Sequence, residues 1–464
     1  MRGMMQETCI ADRATASSRS RRLAAGPLAA ILVPVLLAGC AESLPSLPRL
    51  ADLNPFATKE PPLPGKRIPV LAESQVGAVS ELAAADRPMS LPPFVGNESW
   101  TQPGGNAQNA PGHIALNPTV RVAWTSNAGT GSTKYGKITA SPVAFGGRVF
   151  TLDAAAKVTA FNISGGGVAW STSLVPEGER NPANGYGGGL AIDNGRLHAA
   201  TGFGTVSALD LSNGRKLWEV NIGSPVRASP TAAQDRVAMV TLEGELVVLS
   251  GRDGSELWRH RSIDSGASLI NNSSPAIDGD VVVAPFSSGD VIALSLSNGQ
   301  VLWSESLSRA RLASSLQSMS DAARPVIEGG VVYAVGHAGR MVATAARNGE
   351  RLWSNTIGSL QQPVVAGDTI FAVDTQGQLH AVARQDGRTR WVVKLAGEGT
   401  WSGPVLAGNR LWAVSSKGRL VSVDALSGTV AGSQELGQAV FIGPIVAAGR
   451  MFVLTDAARL IALN

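Results

Sequence analysis

One repeated phrase decides the fold of this chain, and its clearest copy reads Ala208-Leu209-Asp210-Leu211-Ser212-Asn213-Gly214-Arg215-Lys216-Leu217-Trp218. Further copies end in a tryptophan four residues after a glycine, at Trp170, Trp258, Trp303, Trp353 and Trp391. Self-similarity with a period of about 40–50 residues is typical of solenoids and propellers. Short alternating strands separated by turns, with almost no helical periodicity, favour four-stranded propeller blades.

The copies divide the chain into blades, most of which open at a proline. They span residues 141–170, 189–218, 229–258, 274–303, 324–353, 362–391 and 403–432, where Gly432 replaces the closing tryptophan. An eighth copy opens at residue 443 and stops at Asn464, before its last strand. Residues 119–124 supply a strand and a tryptophan with no blade before them. We therefore expect this N-terminal strand to complete the last blade and close the ring.

The sequence thus predicts an all-β fold, an eight-bladed β-propeller of four-stranded antiparallel blades over residues 118–464. Seven blades is the alternative. The tryptophans are predicted to fill the grooves between neighbouring blades, since each can bury about 150–250 Å². The residues concerned are Trp124, Trp170, Trp218, Trp258, Trp303, Trp353 and Trp391. The alternative role, stacking on a ligand, fits their regular recurrence less well.

The N-terminus is predicted to be an export signal. Arg19, Arg21 and Arg22 precede an apolar run, residues 23–37, that is too short for a comfortable membrane span. The run ends in Leu37-Ala38-Gly39-Cys40, which resembles the lipobox of bacterial lipoproteins. That resemblance implies a signal peptide over residues 1–39 and acylation of Cys40, which would be the first residue of the mature chain. A plain secretory signal is the alternative.

Residues 40–117 form a distinct region, a Pro-rich tether and the segment that leads into the ring. Proline-rich stretches of this kind cannot bury a core and are extended. Cys9 lies in the predicted signal peptide, so the mature chain would have no disulfide. In lipoproteins an Asp directly after the acylated cysteine favours retention in the inner membrane, but here that position is Ala41. We therefore expect the protein at the periplasmic face of the outer membrane.

The charge distribution argues against nucleic-acid binding. The chain carries a net charge of +4, but five arginines and two acidic residues precede Cys40, so the remainder carries +1. No repeat shows the clustered basic face that nucleic acids require.

The sequence shows no catalytic constellation. The five histidines occur in unrelated contexts, and no metal-binding or nucleophile motif is present. Asp210 and Asp424 end equivalent strands, where a hairpin-capping role is expected. We therefore predict no catalytic residues, no metal, no cofactor and no enzymatic activity.

The phrase at residues 208–218 is similar to the tryptophan-docking motif of quinoprotein-like (PQQ-type) eight-bladed propellers. Two groups share this fold, the PQQ-dependent dehydrogenases and the BamB lipoproteins of the outer-membrane β-barrel assembly (BAM) complex. A predicted lipoprotein that is nearly all propeller, with a tether at Leu63–Leu71, resembles the BamB family more. The alternatives are a lipid-anchored PQQ-dependent dehydrogenase, which would need a Ca²⁺ cage of oxygen ligands, and a propeller scaffold for another envelope partner.

The BamB resemblance implies a partner and a surface. The family binds a POTRA domain of BamA through loops between blades, alongside other BAM subunits, and supports folding and insertion of outer-membrane proteins. Unfolded precursors of those proteins are possible further partners. Arg227 lies near the expected arginine, and the next loop reads Leu269-Ile270-Asn271-Asn272, without the acidic residues of the family. The alternative for Arg227 is a solvated loop residue.

Overall fold

The computed structural model describes residues 89–262, 273–308 and 321–464. These residues form eight four-stranded antiparallel sheets. In each sheet the strands follow one another from the inner edge to the outer edge, and only the eighth combines both ends of the chain. The predicted eight-bladed propeller is therefore confirmed, and the seven-bladed alternative is wrong.

Each of the first four blades is formed by consecutive strands of the chain. Blade 1 consists of β2 Val143–Phe145, β3 Arg148–Leu152, β4 Lys157–Asn162 and β5 Val168–Ser173, and blade 2 of β6 Gly189–Asp193, β7 Arg196–Ala200, β8 Thr205–Asp210 and β9 Lys216–Asn221. Blade 3 consists of β10 Thr231–Ala233, β11 Arg236–Val240, β12 Glu245–Ser250 and β13 Glu256–Arg261, and blade 4 of β14 Ala276–Asp278, β15 Val281–Pro285, β16 Asp290–Ser295 and β17 Val301–Ser306.

Blade 5 consists of β18 Val326–Glu328, β19 Val331–Gly336, β20 Arg340–Ala345 and β21 Arg351–Asn355, and blade 6 of β22 Val364–Ala366, β23 Thr369–Val373, β24 Gln378–Ala383 and β25 Thr389–Lys394. Blade 7 consists of β26 Trp401–Ala407, β27 Arg410–Ser415, β28 Arg419–Asp424 and β29 Val430–Glu435, and blade 8 of β30 Ile445–Ala447, β31 Arg450–Leu454, β32 Arg459–Leu463 and β1 Val122–Asn127. A 3₁₀ turn, Pro182–Gly185, precedes β6.

Strand β1, which follows the N-terminal segment of the described chain, pairs with the last strand, β32, and closes the ring. Strand β1 is antiparallel to β32, with Trp124 opposite Ala462. Arg121 and Asn464 exchange two backbone hydrogen bonds of 2.9 Å at the end of this ladder. The strand begins three residues later than predicted, because a turn in which Asn117 Oδ1 accepts from the Thr119 amide precedes it.

Tryptophans of the outer strands pack on the next blade, and the glycines of the phrase make room for them. The ring of Trp170 lies so close to Gly214 that a Cβ there would be 2.4 Å from Cε3. The indole N–H of six tryptophans also donates to a backbone carbonyl of the next blade. These bonds are Trp124 to Ile163 (3.0 Å), Trp170 to Leu211 (3.1 Å), Trp218 to Gly251 (3.2 Å), Trp258 to Leu296 (3.0 Å), Trp303 to Ala346 (2.8 Å) and Trp353 to Arg384 (2.9 Å). Trp391 packs on Gly428, but its N–H has no hydrogen-bond partner among the described residues.

The seam between blades 7 and 8 lacks such a tryptophan, and the closure explains why. In blade 8 the third and outer strands, β32 and β1, come from opposite ends of the chain, so no hairpin joins them. A tryptophan from blade 7 would find no turn glycine to pack on. Gly432, which stands in its place, pairs with Ser422 inside blade 7.

Residues 90–116, here called the crossing segment, run through the centre of the ring and bond to every blade. Gln102, 1% exposed, donates from Nε2 to the carbonyls of Ile192 (2.9 Å) and Ala232 (2.7 Å). The bonds to the other blades involve Ala144, Ile277, Ile327, Gln362, Leu406 and Ala448. The crossing segment belongs to the predicted tether and leading segment, residues 40–117, so this part of that region is hydrogen-bonded to the propeller.

Candidate partner-binding site

The propeller has two ends with different connections. At one end, here called the loop face, each inter-blade loop enters an inner strand and each second strand turns into the third. At the other end, the turn face, hairpins join the inner to the second strand and the third to the outer strand. Arg227 precedes β10 and therefore lies on the loop face. Arg215 lies in the hairpin between β8 and β9, on the turn face.

Backbone hydrogen bonds to three blades hold the loop around Arg227. The amide of Val226 donates to the Thr201 carbonyl (3.2 Å) in blade 2, and the amide of Leu242 donates to the Pro225 carbonyl (2.8 Å) within blade 3. The amide of Ser229 donates to the carbonyl of Ser273 (3.1 Å), which leads into blade 4. The position of Arg227 is therefore set by the scaffold, which reduces the entropy lost when a partner binds.

The guanidinium of Arg227 stacks on the ring of Tyr186. Its Cζ lies 3.9 Å from the ring centroid, within the range of a cation–π interaction. Tyr186 follows the 3₁₀ turn Pro182–Gly185, in which Asn181 caps the first turn by accepting from the Ala183 amide.

The close approach of the two loops requires a glycine at position 187. Gly187 has φ of +98°, and a Cβ there would lie 3.0 Å from the Cα of Arg227. A side chain at this position would therefore be strained and would push the two loops apart.

The environment of Arg227 is only partly solvated. Burial lowers the pKa of its guanidinium from the ordinary value, and the group stays charged at neutral pH. Its Nε has no hydrogen-bond partner among the described residues. A partner carboxylate at this position would gain a planar, pre-oriented donor pair.

A cavity of about 240 Å³ lies directly beside Arg227. Its walls include Tyr186, Val240, Leu242 and Phe286, from blades 2, 3 and 4. Leu242 is 46% exposed at the rim. The site thus combines one cation with a recess whose walls are partly apolar and partly polar, the polar part coming from Thr241, Ser273, Ser287 and Asp321.

A second and larger cavity occupies the central channel. It has a volume of about 460 Å³ and is lined by loop-face residues of blades 1, 5, 6, 7 and 8 and by the crossing segment. Lys137, Arg324 and Asp456 are the charged residues among those that line it.

The sequence-predicted site residues fall into two groups. Arg227 lies on the loop face in a defined site, as described above. Leu269, Ile270, Asn271 and Asn272, like Cys40, lie outside the described residues. The sequence did not predict Tyr186 and Leu242 as site residues, because only the tertiary structure brings them to Arg227. The one sequence feature that could have pointed to Tyr186 is the rarity of tyrosine, since the chain has three.

The described ranges contain neither a membrane-spanning helix nor a cluster of metal ligands. Within residues 89–262, 273–308 and 321–464 no helix has the length and apolar character to cross a membrane. Within the same ranges no group of three or more His, Cys, Asp or Glu side chains could hold a metal ion. Asp210 caps its hairpin as expected, since its Oδ1 accepts from the amide (2.8 Å) and hydroxyl (2.5 Å) of Ser212, and these bonds lower its pKa.

Sequence comparisons identify similar proteins. A family model described as outer membrane protein assembly factor BamB matches residues 179–393 and 381–464. An uncharacterized protein of Rickettsia prowazekii is 30% identical over 168 residues, which are 36% of this chain and 40% of that protein. The outer membrane protein assembly factor BamB of Burkholderia pseudomallei is 24% identical over 185 residues, 40% of this chain and 45% of that protein. The chain thus spans less than half the length of these curated relatives.

Solved structures share the fold. BamB from Moraxella catarrhalis has a TM-score of 0.63 at 17% identity, covering 75% of this chain and all of that chain. Quinohemoprotein alcohol dehydrogenase from Comamonas testosteroni has a TM-score of 0.64 at 12% identity, covering 79% of this chain and 80% of that chain. At these identities the likeness concerns the architecture alone, because one fold supports unrelated functions.

Proposed function

This chain belongs to the family of outer membrane protein assembly factor BamB, and on that premise we propose that it is a non-catalytic scaffold of the β-barrel assembly complex. In this role it binds a POTRA domain of BamA through its loop face, alongside other BAM subunits. It thereby supports the folding and insertion of outer-membrane proteins, with unfolded precursors as possible further partners.

The observation that carries this proposal is the Tyr186–Arg227 stack beside a recess that has an exposed leucine at its rim. Arginine and aromatic residues are enriched among the side chains that dominate binding energies at protein interfaces. Here the guanidinium is held 3.9 Å from the Tyr186 ring centroid, and Leu242 is exposed at the rim of the cavity. The partner surface should therefore present a carboxylate next to an apolar side chain.

We place the protein at the periplasmic face of the outer membrane, anchored by lipid on Cys40. The proposed organisation is a signal peptide over residues 1–39, the tether and leading segment over 40–117, and the propeller over 118–464. A Cys40→Ser variant should lose incorporation of labelled palmitate, because the thiol that accepts the lipid is missing. Incorporation of palmitate by this variant at the wild-type level would contradict the anchor.

The dehydrogenase alternative finds no support in the central cavity. A Ca²⁺ site takes 6–8 oxygen ligands, usually including several carboxylates. Asp456 is the one carboxylate among the residues that line this cavity. These side chains do not fit the ion that a PQQ-type dehydrogenase requires.

The test is co-purification of BamA from solubilised membranes with the tagged full-length protein. Arg227→Glu reverses the charge at the site and should lower the recovery of BamA at least tenfold, the effect expected for loss of an interface anchor of about 1.4 kcal/mol or more. Arg215→Glu, on the turn face, is the matched control and should recover BamA at the wild-type level. Equal recovery with both variants would remove Arg227 from the interface, and no recovery with the native chain would contradict the assembly role.

A further inference from the structure

The central cavity is closed toward the turn face by the crossing segment. Each inner strand begins at the loop face and ends at the turn face. The crossing segment hydrogen-bonds to inner strands near their ends, at Ala144, Ile192, Ala232, Ile277 and Ile327. The cavity of about 460 Å³ is lined instead by residues at or just before the beginnings of inner strands, such as Val364, Pro444 and Ile445. It therefore lies between the crossing segment and the loop face.

The most exposed residues of the cavity lining lie on the loop face and mark its opening. Phe441, which is 53% exposed, precedes the inner strand of blade 8. Lys137 is exposed in the loop that leads into blade 1. An aromatic side chain at the edge of a recess keeps apolar area in contact with water, and a partner that covers it gains the free energy of removing that area.

The buried charge in the cavity wall is already hydrogen-bonded within the protein. Arg324, 9% exposed, donates from Nε to Ser274 Oγ at 2.8 Å. Its Nη1 donates to Gln362 Oε1 at 3.0 Å and to the Pro103 carbonyl at 3.3 Å. These bonds tie blade 5 to blade 4, to blade 6 and to the crossing segment, and they account for the arginine as a structural residue.

The rest of the buried wall is mainly apolar. Trp100, Ile138 and Ile442 are buried and line the cavity. Lys137 and Asp456, the other charged residues of the lining, belong to loop-face connections and are not buried. An ion in the interior would lose its hydration without gaining a charged partner. The cavity therefore suits an uncharged apolar group.

A narrow strip of chain separates this cavity from the recess beside Arg227. Ala322 lines that recess, and Arg324, two residues later, lines the central cavity. Ser273 also lines the recess, and the next residue, Ser274, is the one that bonds to Arg324. Two residues of extended chain span about 7 Å. A partner that contacts Arg227 has to cross only this strip to reach the central cavity.

We propose that the central cavity is a second anchor pocket of the loop face, which takes an uncharged aromatic or large aliphatic side chain from the same polypeptide that contacts Arg227. This inference rests on the proposed function, in which that polypeptide is a POTRA domain of BamA. A few anchor side chains that fill desolvated pockets dominate the binding energy of an interface. Arg227 supplies the charged contact, and the central cavity supplies the apolar one.

The first test is co-purification of BamA with the tagged full-length protein. Phe441→Asp places a charge at the opening of the cavity and should lower the recovery of BamA at least tenfold. Phe145→Asp is the matched control, because Phe145 is 43% exposed at the turn-face end of β2, and it should recover BamA at the wild-type level. Loss of BamA with Arg227→Glu but not with Phe441→Asp would overturn this inference and leave the proposed function standing. No recovery with the native chain would overturn both.

Photocrosslinking tests the same contact while an aromatic side chain stays in place. Phe441→p-benzoylphenylalanine should give a covalent product with BamA on irradiation of cells, and Phe145→p-benzoylphenylalanine should give none. Addition of Arg227→Glu should lower the yield at position 441 about tenfold, since one partner makes both contacts. No product at position 441, or a product with a second copy of the chain or with another protein, would overturn the proposal.

Discussion

His198 gives the propeller a dependence on pH that can be worked out from its surroundings. It lies in β7, is 1% exposed, and its ring centroid is 5.7 Å from that of Trp218. Burial lowers its pKa from 6.5 to about 4, helped by the nearby charge of Arg196 and opposed by that of Asp235. The fold therefore favours the neutral imidazole.

The sign of the effect follows from this depressed pKa. Above pH 6.5, the pKa in the unfolded chain, His198 is neutral in both the folded and the unfolded protein and does not affect the free energy of unfolding. As the pH falls below 6.5, protons bind the unfolded chain first, so stability decreases until the folded pKa is reached. A shift of this size amounts to about 3 kcal/mol in full, of which about 2 kcal/mol is lost by about pH 5.

A His198→Phe variant isolates this contribution. In four other blades an aromatic ring at the same place in the second strand packs on the docking tryptophan of its own blade. These residues are Phe150, Tyr333, Phe371 and Phe452. A phenylalanine, which has no titratable group, therefore suits the position of His198. Free energies of unfolding in urea, measured at about pH 7.5 and about pH 5, should fall by about 2 kcal/mol more in the wild type than in the variant. Carboxyl groups titrate in both proteins and cancel in the comparison. The same pH dependence in both proteins would refute the reasoning.

Two further predictions concern the contacts between blades, with urea unfolding as the measurement. A Cβ at Gly214 would lie 2.4 Å from Cε3 of Trp170, whereas a Cβ at Gly223, which has a similar positive φ, would meet nothing within 4 Å. Gly214→Ala should therefore lower the free energy of unfolding by about 1–3 kcal/mol more than Gly223→Ala does. Equal losses would show that the contact between Gly214 and Trp170 does not contribute to stability. Trp303 donates to the Ala346 carbonyl at 2.8 Å, whereas the N–H of Trp391 has no hydrogen-bond partner among the described residues. Trp303→Phe should therefore lower the free energy of unfolding by about 1–2 kcal/mol more than Trp391→Phe does. A larger loss of stability for the variant at position 391 would contradict this reasoning.

The architecture could be predicted because each blade is specified locally. A phrase such as residues 208–218 contains its own strand pattern, turn glycine and docking tryptophan, so repetition alone indicates the number of blades. The mismatch between the last copy, which ends at Asn464, and the lone strand near Trp124 also indicated the closure. Even the exception at Gly432 follows the same logic, since the turn on which a tryptophan would pack is missing from blade 8.

The sites could not be predicted in the same way, because they depend on residues brought together from separate blades. Tyr186 and Arg227 belong to different inter-blade loops, and nothing in either loop indicates that their side chains stack at 3.9 Å. In the sequence nothing distinguishes Gln102 from other polar residues. In the structure the ring surrounds it, and its side chain is buried and hydrogen-bonded to the carbonyls of Ile192 and Ala232. Local periodicity determined the repeated blades, whereas the packing of those blades around a common axis decided which side chains meet in the channel and on the loop face.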